Sequence, residues 1–476
     1  MNRILLALLI LCCCIHYTPA SGQSPQPSRT WKDLTGKYSI EAVFVRVAGD
    51  QVVLRRVDNK KEITLSLIKL SLADQQYVRK LIPPVPRQAD GRLNNNLKCV
   101  DLSDLKGPLP LKATFSKQIL KRTQDWERSS HNNPKWPSAG DRDVFGYPTV
   151  VKNVHGRNQD SKYYLYYAHH DPMSGIGCAV ADKITGPYTK AAVRHEKFGG
   201  WTDSQVLVNP NYRPAGPNPA GVAHFSSPCV VWNEDEQLWF LYFHYFNHSH
   251  GAWTADSSVP GEGWQMTALA TCPDLSSHNW TIWMDPARSR VSVWGIVPVL
   301  PTTDKEWMSG GSSYHAIQRL PTALPGHPGK EWLAFMRGTN VKTGKPTVGF
   351  GASSDGRNWN YFPENPVIAP GRRWTRGTNA FRPAFVGYLG KSGSGKHEYL
   401  VAWSEHPNPQ VIYSKTTDFK TFQRDGRGYA QWQGPDGLTS PWREGDRLYL
   451  FGGTDLHVLD LPVSSRRSAV NRGKDR

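Results

Sequence analysis

The feature that most constrains this chain is a short strand that it repeats. Lys162-Tyr-Tyr-Leu-Tyr-Tyr-Ala168 returns as Gln237-Leu-Trp-Phe-Leu-Tyr-Phe243, Lys330-Glu-Trp-Leu-Ala-Phe-Met336, His397-Glu-Tyr-Leu-Val-Ala-Trp403 and Asp446-Arg-Leu-Tyr-Leu-Phe-Gly452. Aligned on a shared leucine, the copies place Leu165, Leu241, Leu333, Leu400 and Leu450 at spacings of 76, 92, 67 and 50 residues. Each is an aromatic and aliphatic run bounded by polar or Gly-containing sequence, the signal of a strand. A second short strand precedes each copy: Tyr147-Pro-Thr-Val-Val151, Ser227-Pro-Cys-Val-Val231, Tyr314-His-Ala-Ile-Gln318, Arg382-Pro-Ala-Phe-Val386 and Ser440-Pro-Trp442. After the first four copies comes a hairpin opened by an aspartate (Asp182, Asp274, Asp355, Asp418), whose side chain can bond nearby backbone amides. An aromatic follows (Tyr188, Trp280, Trp359, Phe422) that can pack between neighbouring sheets. Five units of about four strands predict an all-β chain built as a five-bladed β-propeller, an architecture that limits exposed sheet edges by radial repetition. A β-sandwich is the alternative, but it would not require this order of Pro, Leu and Asp.

Composition agrees with a turn-dense β protein: 18 Trp, 19 Tyr, 16 Phe and 42 Gly, with no long amphipathic helical run. Residues 4–13 are apolar, follow Arg3 and lead to Thr18-Pro-Ala20, so residues 1–20 read as a secretory signal peptide too short to span a bilayer. The expected location is therefore outside the cytoplasm: secreted, periplasmic or at the cell envelope. Lipid attachment at Cys12 is the alternative, disfavoured by the bulk of Leu11 before it. No other segment is apolar enough to cross a membrane. Cys99, Cys178, Cys229 and Cys272 form no zinc pattern, and a Cys178–Cys229 bridge is open after export. The net charge of +17 attracts polyanions, yet no nucleic-acid-binding signature accompanies it. For an exported protein an acidic polysaccharide is the more economical partner.

The first folded segment, residues 30–82, alternates as short strands over 38–46, 51–57 and 62–65, and a helix is expected from Ser71 to Leu81. Trp31, Thr35-Gly-Lys37, Leu67-Ile-Lys-Leu-Ser71 and Asp74-Gln-Gln-Tyr77 resemble the Sla-one homology domain, a small SH3-like barrel. That resemblance implies a protein-interaction module rather than chemistry. Residues 83–140, with Ile82-Pro-Pro-Val-Pro-Arg87, read as a linker and a segment that can close the ring, because the last blade lacks a strand. The propeller is then 141–463, and 464–476 is a basic tail.

The aromatic strands and Ala181-Asp-Lys-Ile-Thr-Gly-Pro-Tyr188, together with Tyr166-Tyr-Ala-His-His170, His224-Phe-Ser-Ser-Pro228 and Phe240-Leu-Tyr-Phe-His244, resemble the five-bladed glycoside hydrolases of the arabinanase and xylosidase type, family 43. The resemblance implies glycosidic hydrolysis between two carboxyl groups supplied by the first strands of early blades. At the matching positions this chain has Tyr147 before Pro148, Cys229 after Pro228, and Tyr314-His315. The replacement candidates are Asp143, with Asp141 beside it, as base, and Glu405 or His315 as acid. Asp203 and Asp436 lie in Gly-containing loops. Tyr147, His169, His170, Asp171, His224, His244 and Arg382 are the expected substrate contacts, Arg382 toward a carboxylate or sulfate. Trp253, Trp283, Trp294 and Trp307 offer rings that suit sugar faces. No acidic loop that would build a calcium site is present, so no cofactor or metal is assigned. A glycan-binding propeller without catalysis, or a cell-envelope interaction scaffold, are the competing functions.

Overall fold

The computed structural model describes residues 27–78, 99–127 and 295–369 with short gaps, and 146–168, 174–209, 224–246, 265–285, 380–406, 410–422, 430–433 and 440–463. The chain divides into two compact units, residues 1–85 and 86–476. Among the described residues no helix is long and apolar enough to cross a membrane, and Cys99, Cys178, Cys229 and Cys272 are all free thiols. Cys178 and Cys229 are therefore unbridged.

The first unit is a four-stranded antiparallel meander, Arg29–Lys32, Ser39–Ala48, Gln51–Arg56 and Glu62–Ser66. Alternate residues bury Ala42, Val52 and Leu54 around Trp31, whose indole donates to the Ala42 carbonyl at 2.9 Å. The expected helix is present at 73–74 and 77–78. There the buried Asp74 accepts from Arg29, from the Ser71 hydroxyl and from the Lys32 amide.

The second unit is a β-propeller. Its blades are antiparallel meanders whose first strands are Gly146–Lys152, Phe225–Asn233, Gly311–Arg319, Ala380–Lys391 and Ser440–Glu444. These first strands neighbour one another in a closed cycle, the last returning to the first. The fifth meander is completed by Phe115–Gln118, which pairs antiparallel with Asp455–Val458 and so supplies the missing strand from upstream of Asp141. Val100–Asp101 adds in parallel to the fourth blade's first strand. The second and third blades meet where Gly311 lies against Gln265; a Cβ on Gly311 would sit 2.3 Å from the Gln265 carbonyl oxygen.

The repeated aromatic strands are the second strands, and their composition follows from having two dry faces. In the first blade Tyr163, Leu165 and Tyr167 face the seam with the fifth blade, while Tyr164, Tyr166 and Ala168 face the seam with the second. The same alternation places Trp239, Leu241 and Phe243 in one seam and Phe240 and Tyr242 in the next. The leucine alignment slips in the middle of the chain. The residues on the face of Leu165 and Leu241 are Ala334 and Val401 in the third and fourth blades, one beyond Leu333 and Leu400. Because both faces are apolar, hydrophobicity alone does not set the register. The hairpin aspartates divide as well. Asp274, Asp355 and Asp418 accept backbone amides two or three residues on. Asp182 instead points to solvent and Lys162. The aromatics that follow lie in the seams, Tyr188 edge-on to Phe451 of the fifth blade and Trp280 edge-on to Tyr166 of the first.

Candidate functional site

The seams stop at the rim of the central channel, and there the second strands change from aromatic to polar. At this level stand Ala168 of the first blade, which still belongs to the seam, and His244, Arg337 and Ser404, each two residues beyond the last residue facing its following seam. Their register partners on the first strands are Gly146, Ser226, Ser313 and Arg382. Directly opposed pairs project from the same sheet face, so these positions make one level of the rim. Arg382 therefore corresponds to Ser226 and Ser313, not to Tyr147.

Beside this level each of the first four first strands carries a β-bulge. In the first three the residue at the bulge takes a left-handed backbone: Tyr147 (φ 61), Ser227 (φ 52) and Tyr314 (φ 44). A non-glycine residue held there costs on the order of 1–3 kcal/mol, a strain that recurs at ligand sites, and a bulge re-aims the side chain it carries. Tyr147 and Tyr314, from the first and third blades, consequently meet edge to face at 5.2 Å, and both rings are almost fully buried. The Arg382 guanidinium lies 5.4 Å from each ring centroid, and that of Arg337 lies 4.9 Å from Tyr314. Burial lowers the Arg337 pKa and the charge of Arg382 lowers it further, while the two tyrosines oppose the shift. His244 completes the cluster. Its ring sits 4.9 Å from Tyr314, and its Nε2 is 3.0 Å from the Nε2 of His224, so one imidazole donates and the other accepts.

Below the rim, the residues after the bulges line a narrow cavity of about 70 Å³, room for a few waters. First strands of all five blades contribute, Pro148, Pro228, His315, Ala384 and Pro441 among them, and Cys99 also reaches it. His315 is buried, with Nδ1 3.3 Å from the Thr267 hydroxyl. Desolvation pushes its pKa down to about 4, so it is a neutral imidazole at pH 7.

Of the residues singled out from sequence, the rim brings together Tyr147, His224, His244 and Arg382. His315 lies in the channel wall. Asp203 is elsewhere: on a short hairpin it pairs with His195 at 2.7 Å and accepts from Trp201 and Gln205, an arrangement that fixes a loop. Asp141, Asp143, His169, His170, Asp171, Asp436, Trp253 and Trp294 lie outside the described residues. Glu405 is described only in its backbone, where it is in register with Phe381. Trp283 and Trp307 pack in the seam of the second and third blades. Sequence reasoning passed over Arg337, Tyr314 as a ring, and Ser404. Arg337 and Ser404 share one signal, the first polar residue after an apolar second strand, legible only once the strand register is right, while Tyr314 sits at the bulge of a first strand. Among the described residues no group of three or more His, Cys, Asp or Glu could hold a metal ion.

Strand pairing and rim thus define a β-propeller behind a small SH3-like domain, and the comparisons with known proteins follow that division. The family model for SLA1 homology domain 1 matches residues 21–83. No curated protein matches the chain. Solved structures similar to it include an N-acetylgalactosamine deacetylase from F. plautii in complex with blood group B trisaccharide, with 14% identity, a TM-score of 0.39, and 71% of this chain and 85% of that one covered. Another is Zg3597, a family 117 glycoside hydrolase from the marine bacterium Zobellia galactanivorans, with 12% identity, a TM-score of 0.42 and coverages of 75% and 92%. A third is a glycosyl hydrolase from Bacteroides ovatus, with 11% identity, a TM-score of 0.40 and coverages of 77% and 95%.

Proposed function

We propose that this chain is an exported saccharide-binding propeller, a ring of five blades that meets its ligand at the rim of the central channel. The observation that carries this reading is what occupies the positions where hydrolases resembling the sequence would present carboxyl groups. Tyr147, Cys229 and Tyr314-His315 stand there, and the shared bulges support that matching of strands. Flat rings flanked by guanidinium and imidazole donors suit the faces and hydroxyls of a sugar, whereas hydrolysis needs one proton donor and one carboxylate across the bond. Kinship with family 43 rests on the strand and hairpin motifs of the sequence. The SH3-like domain is assigned a protein partner on the same footing, and the signal-peptide pattern supports export.

The hydrolytic reading keeps one foothold, since Glu405 is the strand neighbour of Ser404, the register partner of Arg382. Titration calorimetry of the full chain against neutral and acidic oligosaccharides, with mass spectrometry of the recovered sugar, separates the two. Saturable binding with the sugar intact is expected. Turnover that disappears in Asp143→Asn or Glu405→Gln would put hydrolysis in its place.

A further inference from the structure

We infer that the outer edge of the fifth blade, around Phe115–Gln118, is a docking surface for an anionic lipid bilayer, with Phe115 entering the head-group layer and lysines meeting its phosphates. The edge lies on the perimeter of the propeller, apart from the rim, and its occupant does not depend on what the rim binds. Among the described residues Phe115–Gln118 is the last strand of its sheet and pairs on one side alone. The segment that carries it follows the end of the blade: Leu105 bridges Val463, the Lys106 amide donates to the Pro462 carbonyl at 2.7 Å, and the Ile119 amide donates to that of Thr454 at 2.9 Å. Between Asp104 and Asp125 the sequence holds Lys106, Lys112, Lys117, Lys121 and Arg122 and no acid. Arg122 is buried and Lys117 half-buried, while Lys106, Lys112 and Lys121 are exposed. Acids beside this edge are already engaged: Asp104 by Arg443 at 2.7 Å, Asp460 by Arg447 at 3.3 Å, and Asp455 by the Thr454 hydroxyl at 3.4 Å.

Register sets what the edge presents. Phe115 and Lys117 stand opposite Val458 and Leu456, which are buried in the seam with the first blade. Directly opposed residues share a sheet face, so an apolar face runs outward and ends in a phenyl ring that is 48% exposed. Lysines alone would be guards that keep an edge strand from pairing with another chain. A guarded edge has no use for a half-exposed phenylalanine between Lys112 and Lys117. An aromatic ring among basic side chains is the composition that settles at a membrane interface, where the ring leaves water and each lysine meets anionic head groups. The perimeter of a propeller is convex and fits a plane of lipid, whereas a saccharide is held in a cleft. The whole chain's surplus of 57 Lys and Arg over 40 Asp and Glu draws it to the same anionic surface.

The test is co-sedimentation of the full chain with vesicles of phosphatidylcholine and phosphatidylglycerol in equal parts, and with pure phosphatidylcholine, at low and at physiological salt. The mixed vesicles should bind at least about tenfold more tightly than the neutral ones, and salt should weaken that binding. Reversing three charges together, with Lys112→Glu, Lys117→Glu and Lys121→Glu, should lower binding by about a hundredfold. The same three positions changed to arginine should keep it. Phe115→Ser should lower binding by about tenfold while leaving its salt dependence unchanged. Melting temperatures close to the parent's are expected throughout, and if the triple reversal fails to fold, Lys112→Glu and Phe115→Ser decide. Tyr314→Ala should bind vesicles as the parent does; a loss there would move the lipid contact to the rim and overturn the edge. A parent chain that ignores the mixed vesicles, yet holds a soluble acidic polysaccharide through these lysines, would overturn the lipid in favour of the polymer. Equal binding of mixed vesicles by the parent and a folded triple reversal would overturn the edge outright.

Discussion

The seams between blades and the rim of the channel are built from the same strands, yet they follow opposite rules. In the seams large side chains pack within a blade and across to the next: Phe350 of the third blade touches Phe335 and Phe362 of its own blade and Phe419 and Phe422 of the fourth. At the rim, a few residues further along, the corresponding positions are Ala168, His244, Arg337 and Ser404, no two alike. Seam positions repeat because each blade faces the same packing problem. Rim positions are released from that packing problem, and under the proposed saccharide binding each blade contributes a different contact. Strain follows the same division: the bulge residues in left-handed backbone lie on first strands next to the rim.

The sharpest way to break this comparison is to strip a seam. The seam between the fourth and fifth blades is completed from outside the blades, by Val100, Leu102 and Leu109 against Phe385, Leu450 and Leu459. A chain beginning at Pro86 should fold as the propeller alone, because the compact unit starts there. One beginning at Leu105 loses Val100 and Leu102 and should be destabilised by on the order of 5 kcal/mol in denaturant titration. Equal stability of the two would mean that Val100–Asp101 is not part of the seam. A smaller effect is expected from pH. The folded value of His315, about 4, lies below the ordinary 6.5, so the unfolded chain takes up a proton first as pH falls. Its contribution, about 3 kcal/mol, is complete above pH 6.5 and is lost between there and about pH 4. His155, lowered to about 4 by burial, acts in the same direction. His315→Gln should flatten part of that decline; an unchanged slope would place the imidazole in water. The smallest effect separates two aspartates that look alike in sequence. Asp418→Ala removes an acceptor for the Lys420 and Thr421 amides and should cost about 1 kcal/mol. Asp182→Ala, at an exposed position, should stay within about 0.5 kcal/mol.

Much of the fold is legible in the chain because the seams impose a repeated pattern: Tyr163 to Tyr167 can be read directly as a strand with two buried faces. The register within that strand is not legible, for the same reason. Leu333 and Leu400 match Leu165 in type but lie on the opposite face, and only pairing with the first strand reveals it. The closing strand was visible as a deficit at the end of the chain, but not as Phe115–Gln118, whose side chains are mostly exposed and carry no strand pattern. At the rim, Tyr147 and Arg382 could be found because they adjoin the repeated Pro, His244 because it ends an aromatic run, and His224 because it opens the segment leading to Pro228. Arg337 could not, since Met336-Arg-Gly338 reads as an ordinary strand end until Ser313 is placed opposite it.

The most direct test of the central claim, that the rim binds a saccharide without cleaving it, is titration of an acidic oligosaccharide into the parent chain and Tyr314→Ala, with the sugar recovered and weighed by mass spectrometry. Saturable binding to the parent chain, weakened at least about tenfold in Tyr314→Ala, with the oligosaccharide intact, is the predicted result. Shortened sugar released by both proteins, or binding that ignores Tyr314, would contradict it.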